Sequence, residues 1–393
     1  MSALVENPDH ISAIPVMTKY RDRLAYIDSL RALTAIYVVM GHISGEIWPG
    51  LYNIHPPSNM AVVLQCMMFG HYAVALFIII SGFCLMLPVL RNNMELRGGV
   101  KSFYLKRAKR ILPPYYFSLG LSLLLIIFFI GHKTQTHWDC SLPITWQSIA
   151  THILLIHDFI QTGGAINHVL WSIAVEWHIY ILFPILIILW RKLGPLAIVF
   201  ATLMISFLVA YKLADTSYAG ITAQFLGLFV LGMLAASICY GQEAMWYRIR
   251  KAPWCIISIL LGLLFLRCIR HWGNSGLPND MVMGLLGGSV LIAACNSTNI
   301  FARILDWKPL VAVGSYSYSL YLTHAPFIQL IWQYGIHPLH QSRTVEFILL
   351  AVLGMPIIIA VAYIFYLFCE KPFMNVTSTT ISADKIVIKT GSK

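Results

Sequence analysis

The sequence predicts an all-α fold: a polytopic membrane bundle of about ten transmembrane helices with both termini in the cytoplasm. Hydrophobic residues make up 58% of the 393 residues and charged residues only 11%, whereas a soluble domain carries about 25% charged residues. The mean hydropathy of +0.73 reflects long apolar stretches, each near the roughly 20 residues that a helix needs to cross a bilayer. So few charges cannot cover a soluble surface, so we interpret the chain as an integral, multi-pass membrane protein.

Ten stretches of the sequence have the length and apolar character of a membrane span. They cover residues 27–47, 63–90, 111–131, 168–190, 194–212, 218–241, 254–272, 280–296, 310–334 and 344–369. An eleventh stretch, residues 146–160, is shorter and contains His152, His157 and Asp158. We predict that it forms a re-entrant or surface helix.

A single membrane domain is predicted between two polar ends. Residues 1–24 contain six charged side chains and no apolar core followed by a small-residue cleavage site, so they predict a cytoplasmic segment and not a cleavable signal peptide. Residues 25–373 hold all ten spans, with no internal repeat. Residues 374–393 are rich in Thr, Ser and Lys and predict a disordered cytoplasmic tail.

The distribution of basic residues supports this topology. With the N-terminus in the cytoplasm, 21 of the 27 Lys and Arg residues lie on the cytoplasmic side and five on the outer side, as the positive-inside rule requires. The formal net charge of +11 therefore reports orientation, and nucleic acid is not a predicted partner.

Neither the cysteines nor the histidines form a metal-binding pattern in the sequence. The eight cysteines are scattered without a CxxC motif and are interpreted as small apolar residues. The pairs His132/His137 and His152/His157 are each five residues apart, a spacing that does not align two ligands on one helix face, and no Cys or carboxylate set completes a tetrahedral site. The sequence therefore predicts no metal cofactor.

Two polar residues stand out in the first predicted span. Arg31 and His42 are eleven residues apart, which is about 1,100° of helical rotation and about 16 Å along the axis, so their side chains share a face. Arg31 would lie near the cytoplasmic boundary and His42 in the outer half. A snorkelling anchor explains Arg31 alone, and a satisfied structural histidine explains His42 alone. Together they favour a polar path through the bundle, because ionisable residues inside a membrane usually mark function.

The fourth predicted span carries a carboxylate. Glu176 lies about 12 Å below the outer end of that span, at 1.5 Å per residue, which is close to the depth of His42. We therefore expect Glu176 to orient His42 as a general base; a structural glutamate bound to a neighbouring helix is the alternative. Tyr180, four residues further on, shares the face of Glu176.

Arg107 and Arg110 are three residues apart at the cytoplasmic end of the third span and would share a helix face. A topology signal that also contacts anionic lipids would explain them. A clamp for a ligand with several phosphates would explain them as well, because guanidinium groups bind phosphate through paired hydrogen bonds. Coenzyme A suits the second interpretation. Its phosphates would meet Arg107, Arg110 and Arg31, and its pantetheine arm would carry a thioester along the first span toward His42.

Six motifs, in order, resemble those of the acyltransferase-3 family of polytopic membrane acyltransferases, and the resemblance covers most of residues 25–373. The motifs are IDSLRALTAIYVVMGH (27–42), AVALFIIISGFCL (73–85), RAKR (107–110), LWSIAVEWHIYILFP (170–184), GSYSYSLYLTHAPF (314–327) and EKPF (370–373). Each motif is weak alone, whereas the six in this order are specific. One departure is Ala75, where many members have an acidic residue.

The resemblance implies an O-acyltransferase, with a bacterial inner membrane as its location. The implied donor is an acyl-CoA, with acetyl-CoA favoured, and the implied acceptor is a hydroxyl group of an extracytoplasmic sugar or polysaccharide. His42 would be the catalytic base, while Arg31, Arg107 and Arg110 would contact the phosphates of coenzyme A. Membrane lipids are the remaining expected partners.

Further residues are candidates for the same reaction. Ser81, Tyr180 and Ser319 could stabilise an oxyanion, and Ser81 is counted among the donor-binding residues. His324 reaches an outer depth similar to that of His42 and is a candidate for catalysis or acceptor binding. Two other classes stay open: a secondary transporter with an intramembrane Arg, His and Glu relay, and a membrane acyltransferase that acts on a lipid or another non-glycan acceptor.

Overall fold

The computed structural model describes residues 25–49, 60–160, 162–273, 276–295 and 304–374. Within these residues the regular secondary structure is helical, without a β-strand, which confirms the predicted all-α fold. The predicted segment 1–24 and the tail from residue 375 onward lie outside the described residues, so the placement of both ends stays a prediction.

The helices follow the predicted spans closely. They are α1 (Ala25–Ile47), α2 (Ala61–Met67), α3 (Gly70–Arg91), α4 (Gly99–Leu125), α5 (Trp146–Ile153), α6 (Trp171–Leu193), α7 (Pro195–Leu213), α8 (Gln224–Tyr240), α9 (Ala244–Arg250), α10 (Trp254–Trp272), α11 (Leu277–Cys295), α12 (Lys308–Gly314), α13 (Ser317–Ile331), α14 (Arg343–Leu349) and α15 (Met355–Phe365). Turns of π-helix extend α4 (Ile126–Ile130) and α13 (Trp332–Ile336), join α14 to α15 (Leu350–Gly354) and follow α15 (Tyr366–Glu370).

Eight helical segments among the described residues are long and apolar enough to cross a membrane. They are Ala61–Arg91, Gly99–Ile130, Trp171–Leu193, Pro195–Leu213, Ala219–Tyr240, Trp254–Trp272, Leu277–Cys295 and Arg343–Phe373. The other two predicted spans coincide with α1 and α13, which are helical but less apolar. These two helices carry Arg31, His42 and His324, so predicted functional residues contribute to their lower hydropathy. The count of ten spans therefore stays a prediction.

The segment 146–160 contains a short helix, as predicted. The helix α5 has eight residues, too few to cross a bilayer. It begins at a capping box, in which Thr145 and Ser148 each accept a hydrogen bond from the backbone N–H of the other, and such boxes satisfy the free N–H groups of a helix start.

Small residues allow α3 and α8 to pack backbone against backbone at the centre of the bundle. A Cβ atom added at Gly82 would lie 2.0 Å from the carbonyl oxygen of Phe229, and one added at Gly232 would lie 1.9 Å from that of Ile79. Only glycine fits such a contact, and small residues at helix crossings are the usual way for membrane helices to approach closely. This contact fixes the position of Ser81, which precedes Gly82 in α3.

The first helix is placed by contacts with α3, α12 and α13. At its inner end, Gly314 approaches so closely that an added Cβ would lie 1.9 Å from the carbonyl oxygen of Asp28. Further out, Ser118 of α4 donates a hydrogen bond to the carbonyl oxygen of Leu322 in α13 (2.8 Å). The helices α1, α3, α4, α6 and α13 thereby surround a common interior that holds both groups of predicted functional residues.

Candidate active site

A cavity on the side predicted to be cytoplasmic collects the three arginines that the sequence singles out. Arg31 of α1 and Arg107 and Arg110 of α4 line it together with Glu176 and Glu370. In the part of the chain that the structure describes, no ion pair joins any of the three guanidinium groups to a carboxylate. Three formal positive charges therefore face two negative ones, and hydrogen-bonding capacity remains free on the cationic side.

The helical spacing of α4 selects which basic residues enter this cavity. Arg107 and Arg110 are partly buried and line the cavity, whereas the flanking Lys106 and Lys109 are exposed. Arg107 packs over the ring of Phe103, with its guanidinium carbon 5.8 Å from the ring centroid, and its Nε is buried without a hydrogen-bond partner among the described residues. A buried donor without a partner costs stability, so Arg107 has a free donor for a ligand.

A hydrogen-bonded triangle closes one wall of the same cavity. Ser81 of α3 donates to Glu176 Oε1 (2.8 Å), Tyr180 donates to the same oxygen, and the two hydroxyl groups are in contact with each other. Ser319, the third predicted oxyanion donor, instead donates to Glu370 Oε2 (2.5 Å). The predicted shared face of Glu176 and Tyr180 is thus present in the structure.

The predicted pairing of Glu176 with His42 is wrong. The hydrogen-bond partners of Glu176 are Ser81 and Tyr180, and the partner of His42 is His168. His168 precedes Glu176 by eight residues, so the level of His42 corresponds to the segment just before α6. Glu176 lies deeper, at the level of the arginine cavity. The ends of two membrane helices need not lie at the same depth, and the sequence estimate assumed that they do.

His42 lies instead within a cluster of four histidines. The Nδ1 atom of His42 and the Nε2 atom of His168 are 3.2 Å apart and share a hydrogen bond. The ring centroids of His137, His168 and His324 lie 5.6, 4.8 and 5.1 Å from that of His42. His42 and His137 are partly exposed, whereas His324 is fully buried. Four imidazoles from four separate segments of the chain thus meet at the outer end of α1.

His324 is held in one tautomer by the backbone of its own helix. Its Nδ1 atom lies 3.1 Å from the carbonyl oxygen of Leu320 and 2.8 Å from that of Tyr321. Carbonyl oxygens only accept hydrogen bonds, so Nδ1 carries the proton and Nε2 carries a lone pair. That Nε2 atom is buried and has no partner in the described part of the chain.

Tyr321 separates the histidine cluster from the arginine cavity. It lines the cavity, and its ring centroid is 5.7 Å from that of His324. Its hydroxyl group donates to the carbonyl oxygen of Val169 (2.9 Å) and is 2.7 Å from Ser172 Oγ. A single side chain therefore joins the two sites, which lie on opposite halves of α1.

The outer segment between α4 and α6 supplies two of the four histidines, and sequence reasoning missed this. His137 and Ser141 lie on one short 3₁₀-helix, His137–Ser141. Ser141 Oγ accepts the backbone N–H of His168 (3.3 Å) and lies 3.2 Å from His168 Nδ1. His137 packs beside Gly45 of α1, 3.6 Å from where a Cβ atom would be.

Hydrogen bonds fix this outer segment in place. Asp139 accepts from the backbone N–H groups of Thr134 and Gln135 (2.9 Å each). Thr136 donates to Gln329 of α13 (3.0 Å). Asp is one of the residues that turns favour, so Asp139 is the sequence signal for an ordered turn at this position. Glu370, in the EKPF motif, lines the arginine cavity and is a further residue that the sequence did not assign.

Two further histidines of the outer segment form a separate stacked pair. The ring centroids of His152 and His157 are 3.9 Å apart, with the planes nearly parallel. Burial lowers the pKa of each imidazole to about 4, because a buried site disfavours the charged form. Both rings are therefore neutral at neutral pH.

The helical membrane bundle brings together the three arginines of the sequence motifs in one cavity and places His42 and His324 in one histidine cluster. The family model described as "Acyltransferase domain" matches residues 24–367, and the chain belongs to this family, acyltransferase-3. This confirms the resemblance and favours an acyltransferase over a secondary transporter.

Curated relatives are similar over most of this chain. O-acetyltransferase OatA of Staphylococcus aureus (strain NCTC 8325 / PS 47) is 23% identical over 335 residues, covering 79% of this chain and 51% of the relative. Peptidoglycan O-acetyltransferase OatA of Listeria monocytogenes is 22% identical over 353 residues, covering 80% and 51%. The chain thus spans about half the length of the curated relatives that it matches. No solved structure matches the chain significantly.

Proposed function

We propose that the protein is a membrane O-acetyltransferase of the bacterial inner membrane. It takes the acetyl group of acetyl-CoA bound in the inner cavity and transfers it to a hydroxyl group of a cell-wall glycan, for which peptidoglycan is the leading candidate. The observation that carries this proposal is the arrangement of α1, with an arginine cavity at Arg31 and a histidine cluster at His42. The names of the relatives support both the acetyl group and the glycan acceptor.

The inner cavity suits the phosphates of the donor. Each charge-assisted hydrogen bond from Arg31, Arg107 or Arg110 to a phosphate oxygen would contribute about 1.5–3 kcal/mol. The carboxylate of Glu176 accepts hydrogen bonds from Ser81 and Tyr180, which keep it from forming an ion pair with the guanidinium groups. We assign these three residues a positioning role in the donor cavity.

At the outer end, His168 and Ser141 would prepare His42 to act as a base. A neutral imidazole carries one proton. If His42 Nδ1–H donates to His168 Nε2, then His42 Nε2 is free to accept a proton. His168 must then be protonated on Nδ1, and that atom lies 3.2 Å from the Oγ atom of Ser141. The hydrogen bonds between Ser141 and His168 and between His168 and His42 would thus orient His42, a role that the sequence predicts for Glu176.

The chemical step is acyl transfer. The acceptor hydroxyl gives its proton to His42 Nε2 while its oxygen forms a bond with the thioester carbonyl carbon. The carbon–sulfur bond breaks, and the leaving thiolate takes the proton from His42 to give the free thiol of coenzyme A. His324, whose Nε2 lone pair faces the buried interior without a partner, would receive a hydrogen bond from the acceptor. General-base catalysis of this kind typically contributes 10²–10⁴-fold.

The donor site can be tested without an acceptor. Cys84 lines the inner cavity, so its alkylation by a thiol reagent in purified protein should be slowed by acetyl-CoA. The matched control is Cys255, which is exposed on α10 outside the cavity. Equal labelling of Cys84 with and without acetyl-CoA would argue against donor binding in this cavity.

The acceptor requires a measurement on cells. We expect mass spectrometry of the cell wall to find O-acetylated glycan when the protein is expressed in a bacterium that lacks such acetylation, and none when His42→Ala is expressed. Acetylated lipid with unmodified glycan would replace the proposed acceptor with a lipid. An unchanged envelope, together with protected Cys84, would require a different acceptor.

A further inference from the structure

We propose that His42, His137 and His168 bind one Zn²⁺ ion at the outer end of the bundle, and that the metal competes with the role of His42 as a base. The second half of this statement rests on the proposed function, whereas the first half does not. The three residues each offer one ligand nitrogen, and these nitrogens all lie within 4.8 Å of one another. They come from α1, the short helix His137–Ser141 and the residues before α6.

The spacing of the nitrogens matches a tetrahedral metal. Zinc–nitrogen bonds are about 2.0–2.1 Å long, so two ligand nitrogens at a tetrahedral angle are about 3.3 Å apart. His42 Nδ1 and His168 Nε2 are 3.2 Å apart. One edge of the tetrahedron is thus already present, and only His137 has to move inward. Because His137 is partly exposed and belongs to an outer turn, a small rotation of its side chain is available.

The surroundings orient these ligands as they do in metal sites. A ligating histidine usually donates its second ring N–H to an oxygen, which fixes the tautomer and strengthens the ligand. Ser141 Oγ lies 3.2 Å from His168 Nδ1 and can accept that hydrogen bond. Water can fill the fourth position, as it does in zinc sites with three protein ligands. Imidazole ligands suit Zn²⁺ and neighbouring transition metals.

Metal binding would block the base. A Zn²⁺ ion on Nδ1 of His42 takes the place of the proton shared with His168. The single proton of neutral His42 then resides on Nε2, the atom that must accept the proton of the acceptor hydroxyl. Zinc on the outer side of the membrane would therefore inhibit acetyl transfer without displacing acetyl-CoA, whose proposed site lies at the other end of α1.

Zinc binding can be measured on the purified full-length protein, without donor or acceptor and after removal of any histidine tag. We expect one Zn²⁺ per chain by elemental analysis after equilibrium dialysis. His137→Gln and His168→Gln should each weaken binding at least tenfold, and Ser141→Ala about tenfold to hundredfold, the usual effect of losing an orienting partner. The matched control is His157→Gln, a buried histidine of the same outer segment outside the cluster, which should retain the metal.

Substoichiometric zinc, or full binding in both His137→Gln and His168→Gln, would overturn the site. A separate assay tests whether zinc competes with the role of His42 as a base. For each variant, the rate of acetyl transfer in the presence of zinc is divided by the rate of the same variant in chelator. Zinc should inhibit the wild type, and His137→Gln should raise the inhibitory concentration at least tenfold. Stimulation by zinc, or inhibition that His137→Gln leaves unchanged, would overturn the competition. Failure of the proposed function would leave the binding measurement unaffected.

Discussion

His168→Ala is expected to slow acetyl transfer without weakening donor binding. The substitution leaves His42 Nδ1–H without its acceptor at 3.2 Å. A buried donor without a partner costs about 1–3 kcal/mol, so the base would lose its preferred tautomer by that free energy. At 1.4 kcal/mol per factor of ten, kcat should fall about 5- to 150-fold. KM for acetyl-CoA should stay within twofold, because the arginine cavity lies on the other half of α1.

Two further variants separate orientation from structure. Ser141→Ala removes the next hydrogen bond in the chain, which contributes about 0.5–1.5 kcal/mol, so kcat should fall only about 2- to 12-fold. His168→Gln retains an acceptor near the lost imidazole and should recover part of the rate. The assay follows the transfer of labelled acetyl groups to glycan fragments by vesicles that contain the protein, in the presence of chelator. His132→Ala, at an exposed position of the same outer segment, is the control.

The values of kcat and KM show whether His168 orients His42 or only supports the fold. A merely structural role of His168 would lower the amount of folded protein and would leave kcat per folded molecule unchanged. Wild-type kcat in His168→Ala, or a drop that appears entirely as a raised KM for acetyl-CoA, would refute the assignment of His168 as the positioning residue.

Three other consequences concern packing, the donor and pH. Gly232→Ala should lower the midpoint of thermal unfolding, because its Cβ would lie 1.9 Å from a carbonyl oxygen. Gly262→Ala, which has open space around it, should leave the midpoint unchanged. Equal midpoints of the two variants in a thermal-shift assay would contradict the close helix contact. Arg110→Lys should weaken acetyl-CoA binding measurably, and Arg110→Ala should weaken it about ten- to hundredfold. Lys109→Ala, at an exposed position, should leave the affinity unchanged. Wild-type affinity in Arg110→Lys would indicate that Arg110 is a topology signal alone. Burial lowers the pKa of His157 to about 4, so the unfolded state takes up a proton at a higher pH than the folded state does. The free energy of unfolding should therefore fall by up to about 3 kcal/mol as pH falls from about 6.5 to about 4. His157→Gln should reduce this fall when unfolding is measured as a function of pH.

Features within one helix could be predicted from the sequence. The shared face of Arg31 and His42 and that of Arg107 and Arg110 follow from 3.6 residues per turn. The structure places the three arginines in one cavity and His42 outside it. The two lysines that flank Arg107 and Arg110 turn away from the cavity, as the same periodicity requires.

Contacts between helices could not be predicted in the same way. Equal depths below the outer ends of two spans predict a pair of Glu176 and His42, whereas the structure sets the two residues at different levels. The missing partner, His168, lies in the last residues before α6. His137 and Ser141 belong to an irregular segment, where no periodic pattern shows which side chains turn inward. The presence of His137 and His168 in the cluster therefore follows from the folded structure and could not be predicted from the sequence.

In the proposed mechanism, an acetyl group passes from a donor at the arginine cavity to an acceptor at His42. The most direct test compares the wild type with His42→Gln in vesicles, using labelled acetyl-CoA and a soluble glycan fragment, while alkylation of Cys84 reports donor binding in the same samples. We expect His42→Gln to lower labelling of the glycan at least hundredfold and to leave the protection of Cys84 by acetyl-CoA intact. Glycan labelling by His42→Gln at more than a tenth of the wild-type rate would contradict it.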